Sequence, residues 1–182
     1  MKLYFILAIV ALTILNLPGI VEKSLRKPRT DEGISARDRF VGAWELVSTE
    51  FTMKDGSKRP YPDVGANGRG YLIYTADGHM CAQLVGSNRM LWKDPSRPTA
   101  AEKIAAMDGL TAYCGRFEID ESKHVVYHYP VVAWQPNFEG TKQPRPYVFE
   151  NDLLTFSDKE EEEPGVVSYR IVWRRMAARP KN

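Results

Sequence analysis

The sequence feature that most constrains the fold is YLIYTADGHMCAQL, residues 71–84, in which two apolar–polar alternations meet at Asp77-Gly78. Alternation with a period of two marks a strand with one buried face, because successive side chains leave a pleated backbone on opposite sides. An Asp-Gly pair between two such runs signals a hairpin, since the tight turn needs positive φ. A two-residue turn fixes the register: Ala76 faces His79, Thr75 faces Met80, Ile73 faces Ala82 and Tyr71 faces Leu84. One face then collects Tyr71, Ile73, Thr75, Met80, Ala82 and Leu84, the other Leu72, Tyr74, Ala76, His79, Cys81 and Gln83. The first is the more apolar and is the predicted interior.

The rest of the body repeats this pattern. Residues 42–53, GAWELVSTEFTM, put Trp44, Leu46, Ser48 and Glu50 on one side and end at the turn formers 54–58. Thr99-Ala100-Ala101-Glu102 is a capping box that starts a helix running to about Met107 and closed by Gly109. Ile104 and Met107 give that helix an apolar side to pack on a sheet or cover an opening. CGRFEI and HVVYHYPVV flank a predicted two-residue turn at Glu121-Ser122, which sets Phe117 opposite Val126 and Gly115 opposite His128. PYVFE and LLTFSD join at Asn151-Asp152, aligning Tyr147 with Phe156 and Phe149 with Leu154. The last strand, residues 166–176, carries Val167, Tyr169, Ile171 and Trp173 on one side. The acidic run 160–163 before it reads as a solvated tip that discourages edge pairing. About eight short-spaced strands and one helix define an all-β body, an up-and-down barrel or a sandwich.

Gly42-Ala43-Trp44 on the first strand and Trp173-Arg174-Arg175 on the last resemble the lipocalin pattern, in which a G-x-W tryptophan closes the barrel floor under a basic residue of the last strand. IYTADGHMCAQL, AYCGRFEID and PNFEGT, in that order, resemble more specifically the lipocalin-like domain family of bacteria and fungi, a calycin-type barrel, over residues 40–176. The resemblance implies a lipocalin-like antiparallel β-barrel of about eight strands with a ligand-sized interior. It also implies membership of a group of carriers and a few small cyclases or isomerases of natural-product pathways. It transfers no catalytic residues, and the helix at Thr99 lies between strands rather than after the last one.

A barrel of this size either fills with side chains or holds one small ligand. The residues expected to line it and meet a ligand are Tyr71, Ile73, Met80, Ala82, Leu84, Phe117, Tyr147, Phe149, Leu154 and Tyr169, a lining suited to a largely hydrophobic molecule. For most of them, mutual packing is the plainer expectation. His128, facing inward beside Val126 and Phe117, is a candidate to bind a ligand oxygen or move a proton; a core histidine satisfied by a neighbour is the plainer alternative. Glu50 shares the parity of Trp44 and would form an acid–base pair with His128 if the two met in the cavity; the alternative places it at the rim. His124 and His128 are four apart on a strand, about 13 Å, too far to share one ion, so no metal is expected. No nucleophile setting and no glycine loop before a helix is present, so no cofactor is expected.

Of the 25 Lys/Arg and 23 Asp/Glu, five and three lie in residues 1–35, which leaves 20 of each sign in the body. A neutral body without a basic stripe argues against nucleic acid. Cys81 and Cys114 are expected as buried free thiols, with a single bridge as the alternative in an oxidising compartment. Residues 3–21, LYFILAIVALTILNLPGIV, read as a membrane anchor or an export signal, with Lys23, Arg26, Lys27 and Arg29 behind them favouring a cytoplasmic flank. The expected organisation is 1–21 signal or anchor, 22–39 linker, 40–176 barrel and 177–182 tail. The expected function is binding of a small hydrophobic molecule in the barrel by a membrane-associated or exported protein. The alternative is a cofactor-free cyclase or isomerase acting on a polyketide- or terpenoid-like intermediate.

Overall fold

The computed structural model of the chain describes residues 35–62, 64–160 and 163–177. The predicted anchor and most of the predicted linker and tail lie outside the described residues. No helix among the described residues is long and apolar enough to cross a membrane.

The elements in chain order are α1 (Ala36–Phe40), β1 (Gly42–Met53), β2 (Lys58–Arg59), β3 (Arg69–Tyr74), β4 (His79–Val85), α2 (Ala100–Asp108), β5 (Leu110–Asp120), β6 (Val125–Ala133), β7 (Gln143–Glu150), β8 (Leu153–Lys159) and β9 (Val166–Arg175). From β3 onward each strand pairs antiparallel with the next, and β1 bonds to both β3 and β9. Eight strands therefore close into an up-and-down barrel, with β2 as a short addition beside β1. Closure leaves no free edge along most of the sheet, which an open eight-stranded sheet would expose.

The opening hairpin has a different register from the predicted one. Tyr74 pairs with Met80, Ile73 with Cys81 and Leu72 with Ala82. The loop is three residues long, because Thr75 already pairs with His79: its amide donates to the His79 carbonyl at 2.9 Å, and the Gly78 amide returns to the Thr75 carbonyl at 3.2 Å. That is a type I turn followed by a left-handed residue, Gly78 at φ 94°. One extra loop residue flips β3, so Leu72 and Tyr74 are inside at 1% exposure, while Tyr71 (51%) and Ile73 (43%) face outward. The β4 half, Met80, Ala82 and Leu84, is inward as predicted.

A bulge between Leu46 and Ser48 does the same to β1. Beyond it Thr49 and Phe51 are buried, and Glu50 turns out of the barrel to meet Lys58 at 2.8 Å. The predicted Glu50–His128 pair is therefore absent. In the β5–β6 hairpin the loop is two residues longer than predicted, Phe117 pairs with His128, and both remain inside because the parity is unchanged. Tyr147 pairs with Phe156 and Phe149 with Leu154, the predicted register.

One end of the barrel is plugged. The helix α1 starts at Ser35, whose Oγ accepts from the Asp38 amide at 3.1 Å, so residues 36–39, predicted as linker, are folded. It delivers Phe40, fully buried, edge-on to Tyr74, Tyr147 and Phe149 at 4.8–5.1 Å. Trp44 Nε1 donates to the Phe40 carbonyl at 2.9 Å, and the Arg175 guanidinium lies 4.1 Å over the Trp44 ring. Arg175 also donates to the carbonyls of Val41 and Arg39, tying the first and last strands to the plug.

Two further corrections concern the outside. Cys81 and Cys114 sit directly opposite each other on β4 and β5, face outward, and are joined in a disulfide rather than buried as free thiols. The predicted capping box on α2 forms, Thr99 and Glu102 satisfying each other's amides, but the helix buries no residue and Ile104 and Met107 stay exposed.

Candidate functional site: a half-open barrel interior

The interior beyond the plug is hollow because neighbouring strands part there. The strands β1 and β3 pair only over Gly42–Glu45 and Tyr71–Tyr74, and β6 and β7 only over Val125–His128 and Gln143–Pro146. The first gap is covered by the loop after β2: Tyr61 stacks on Phe51 at 4.1 Å and its amide reaches Thr49 Oγ1 at 3.4 Å. The second is covered by the loop after β6, where Phe138 packs against Tyr113 and Trp134, both at 5.1 Å. Between these covers lies a cavity of about 640 Å³, with Asp158, Lys159 and Glu160 among the residues at its edge. Leu72, Leu84, Phe156, Ile171 and Trp173 supply its apolar wall.

His128 is at the inner surface of this cavity and is 1% exposed. Its Nε2 lies 2.6 Å from the Tyr74 hydroxyl and its Nδ1 2.9 Å from the Tyr113 hydroxyl. Burial, reinforced by the Arg145 cation, holds its pKa well below the ordinary histidine value, so the ring is neutral at pH 7. A neutral imidazole has one donor and one acceptor nitrogen. Tyr74 is buried and its hydroxyl has no other partner among the described residues, so its hydrogen goes to Nε2. Nδ1–H then donates to Tyr113, and the Tyr113 hydrogen has no acceptor among the described residues. The hydrogen-bond chain runs from Tyr74 through His128 and ends at Tyr113 on the cavity wall.

Arg145 lines the same cavity beside Tyr113 and Tyr169. It donates to the Pro144 carbonyl at 2.9 Å and to Gln143 Oε1 at 3.4 Å, and it makes no ion pair among the described residues. Burial pushes the hydroxyls of Tyr61, Tyr74, Tyr113 and Tyr169 above the ordinary tyrosine value, so all four are neutral.

Of the residues predicted to meet a ligand, Ala82, Leu84, His128 and Tyr169 line the cavity. Met80, Phe117, Tyr147, Phe149 and Leu154 belong to the packed core, several of them around the Phe40 plug. Tyr71, Ile73 and Glu50 are outside, for the register reasons given above. The sequence reading missed Arg145, Tyr113 and Tyr61. Arg145 was legible, since it lies two residues before Tyr147 on a strand whose inward parity was assigned correctly, and Tyr113 lies four before Phe117 in the same way. Tyr61 comes from a loop and had no periodic signal.

A closed antiparallel barrel of eight strands, plugged at one end and hollow at the other, is a lipocalin-type container. The chain belongs to the lipocalin-like domain family, whose model matches residues 41–176. Among solved structures it is similar to a lipoprotein YedD from Klebsiella pneumoniae subsp. pneumoniae, at 10% identity and a TM-score of 0.34, over 76% of this chain and 72% of that chain. No curated protein matches it.

Proposed function

We propose that the barrel binds one small, largely apolar molecule in its interior. The observation that carries this reading is the cavity itself: about 640 Å³, walled by aliphatic and aromatic side chains and furnished with a few polar groups. That size and composition are those of small-molecule sites. The test is to fill it. Ala82 is buried on the cavity wall, so Ala82→Trp should abolish uptake of apolar fluorescent probes while the barrel stays folded. Tyr71→Trp, on the outer face, should leave uptake unchanged. Loss of uptake in both variants, or in neither, contradicts the assigned interior.

A second reading, a cofactor-free cyclase or isomerase, is favoured by one observation, the Tyr74–His128–Tyr113 chain ending at the cavity. When the Tyr113 hydroxyl gives its proton to a substrate, the Nδ1–H of His128 can replace it while Nε2 takes the Tyr74 proton, which leaves the negative charge at Tyr74. Glu50 has no part in it. Bound compound recovered unchanged after incubation supports the carrier; a rearranged isomer of it supports the enzyme.

The membrane association, or alternatively the export, read from residues 3–21 belongs to the same proposal. The Cys81–Cys114 bridge supports an oxidising compartment for the barrel.

A further inference from the structure

The polar groups of the cavity share a sign. The Arg145 guanidinium is permanently charged and has five N–H donors, and its partners among the described residues, the Pro144 carbonyl, Gln143 Oε1 and the hydroxyls of Tyr113 and Tyr169, include no carboxylate. Next to it, the Tyr113 hydrogen is left unused by the direction of the His128 chain. Trp173, on the same cavity's wall, has a buried indole N–H with no partner among the described residues. Unmet donors thus line a pocket that offers no buried unmet acceptor among the described residues. Leaving a guanidinium unpaired in a partly desolvated site is unfavourable, and an incoming anion removes that cost.

We propose, resting on the small-molecule reading above, that the ligand is a monocarboxylate amphiphile whose carboxylate lies between Arg145 and Tyr113 and whose apolar body lies along Phe156, Ile171 and Leu84. The planar fork of Arg145 matches a carboxylate in a bidentate pair. A singly charged head suits the site better than a dianion, because the edge of the same cavity carries Asp158 and Glu160 against the single cation Lys159. Asp158 is one rival for the guanidinium within the same cavity. It sits opposite Tyr169 on the adjoining strand, accepts from the Lys159 amide at 2.7 Å, and does not pair with Arg145.

The full chain, kept soluble in amphipol, is titrated with pyrenebutyric acid and with its methyl ester, read by energy transfer from Trp134 and Trp173. The acid should bind at least about tenfold more tightly than the ester, the scale of one charge-assisted pair. Arg145→Met should remove that preference by weakening the acid alone, Arg145→Lys should keep part of it, and Asp158→Asn should enlarge it. Equal affinity for acid and ester, or a preference that survives Arg145→Met, overturns the carboxylate assignment and leaves the container intact. Binding of neither probe by a chain with the barrel's circular dichroism removes the container too. If dodecyl phosphate displaces bound pyrenebutyrate better than dodecanoate does, the head group is a phosphate and the carboxylate is wrong. Should Arg145→Met fail to fold, Arg145→Lys and Tyr113→Phe decide: a preference untouched by both overturns the proposal.

Discussion

At the residue scale, His128 is the group whose state the fold controls most tightly. Nε2 accepts from the Tyr74 hydroxyl only when the ring is neutral, and burial beside the Arg145 cation keeps it neutral. The folded pKa is depressed below an unfolded value of about 6.5, so between the two the unfolded chain holds a proton that the native chain does not. The His128 contribution to stability is then constant above about pH 6.5 and falls as the pH drops, by at most about 1.4 kcal/mol per unit. On the surface, Asp120, hydrogen-bonded by Lys123, is held down to about 2, outside this window. Urea unfolding at pH 7, 6 and 5 should show this slope in the native chain and lack it in His128→Gln, which starts less stable at pH 7; equal slopes would mean that the buried ring is not the titrating group. The sequence placed His128 inside but was silent on its partners, because neither tyrosine is its neighbour in the chain and one, Tyr74, came from the strand whose face was misassigned.

At the scale of the elements, what was legible depended on whether an irregularity added one residue or two. The Asn151-Asp152 turn matched its two-residue reading, with Asn151 in the left-handed region, and the β7–β8 register followed. The β5–β6 loop is longer by two residues and both faces survived. The β3–β4 loop and the β1 bulge each add one, and each exchanged inside for outside, removing Tyr71, Ile73 and Glu50 from the interior. A pleated strand has no intermediate outcome, and composition alone does not count loop residues. A third irregularity, on β6, lets Cys114 pair with Val132 and Gly115 with Pro130, and it depends on Gly115. A Cβ there would fall inside the carbonyl group of Tyr129, which is backbone and has nowhere to yield. Gly115→Ala should therefore cost about 3 kcal/mol by urea titration. A change below about 0.5 kcal/mol would show that the bulge relaxes freely.

At the scale of the molecule, two devices hold the barrel shut, one at each side of the chain's problem. The contact of Arg175 with Trp44, Val41 and Arg39 joins the last strand to the first at the plugged end, and the G-x-W and terminal-arginine signals made it legible in the sequence. The Cys81–Cys114 bridge was legible only as the alternative to free thiols, because two cysteines 33 residues apart become neighbours only once β4 and β5 are in register. Closing a loop of that length restricts the unfolded chain by about 3–4 kcal/mol on the entropic account, and engineered or strained bridges give less. Cys81→Ser with Cys114→Ser should lower stability by about 2–4 kcal/mol. It should leave probe affinity unchanged, since both sulfurs face away from the cavity. The same pair reports where the barrel resides. Lys23, Arg26, Lys27 and Arg29 behind the apolar run favour a cytoplasmic flank, where thiols are kept reduced. A bridge on the outer surface favours export. Maleimide–polyethylene glycol added to lysed cells under denaturing conditions should therefore modify neither cysteine until reductant is supplied. Two adducts without reductant would put the barrel on the cytoplasmic side and make the bridge dispensable for its fold in the cell.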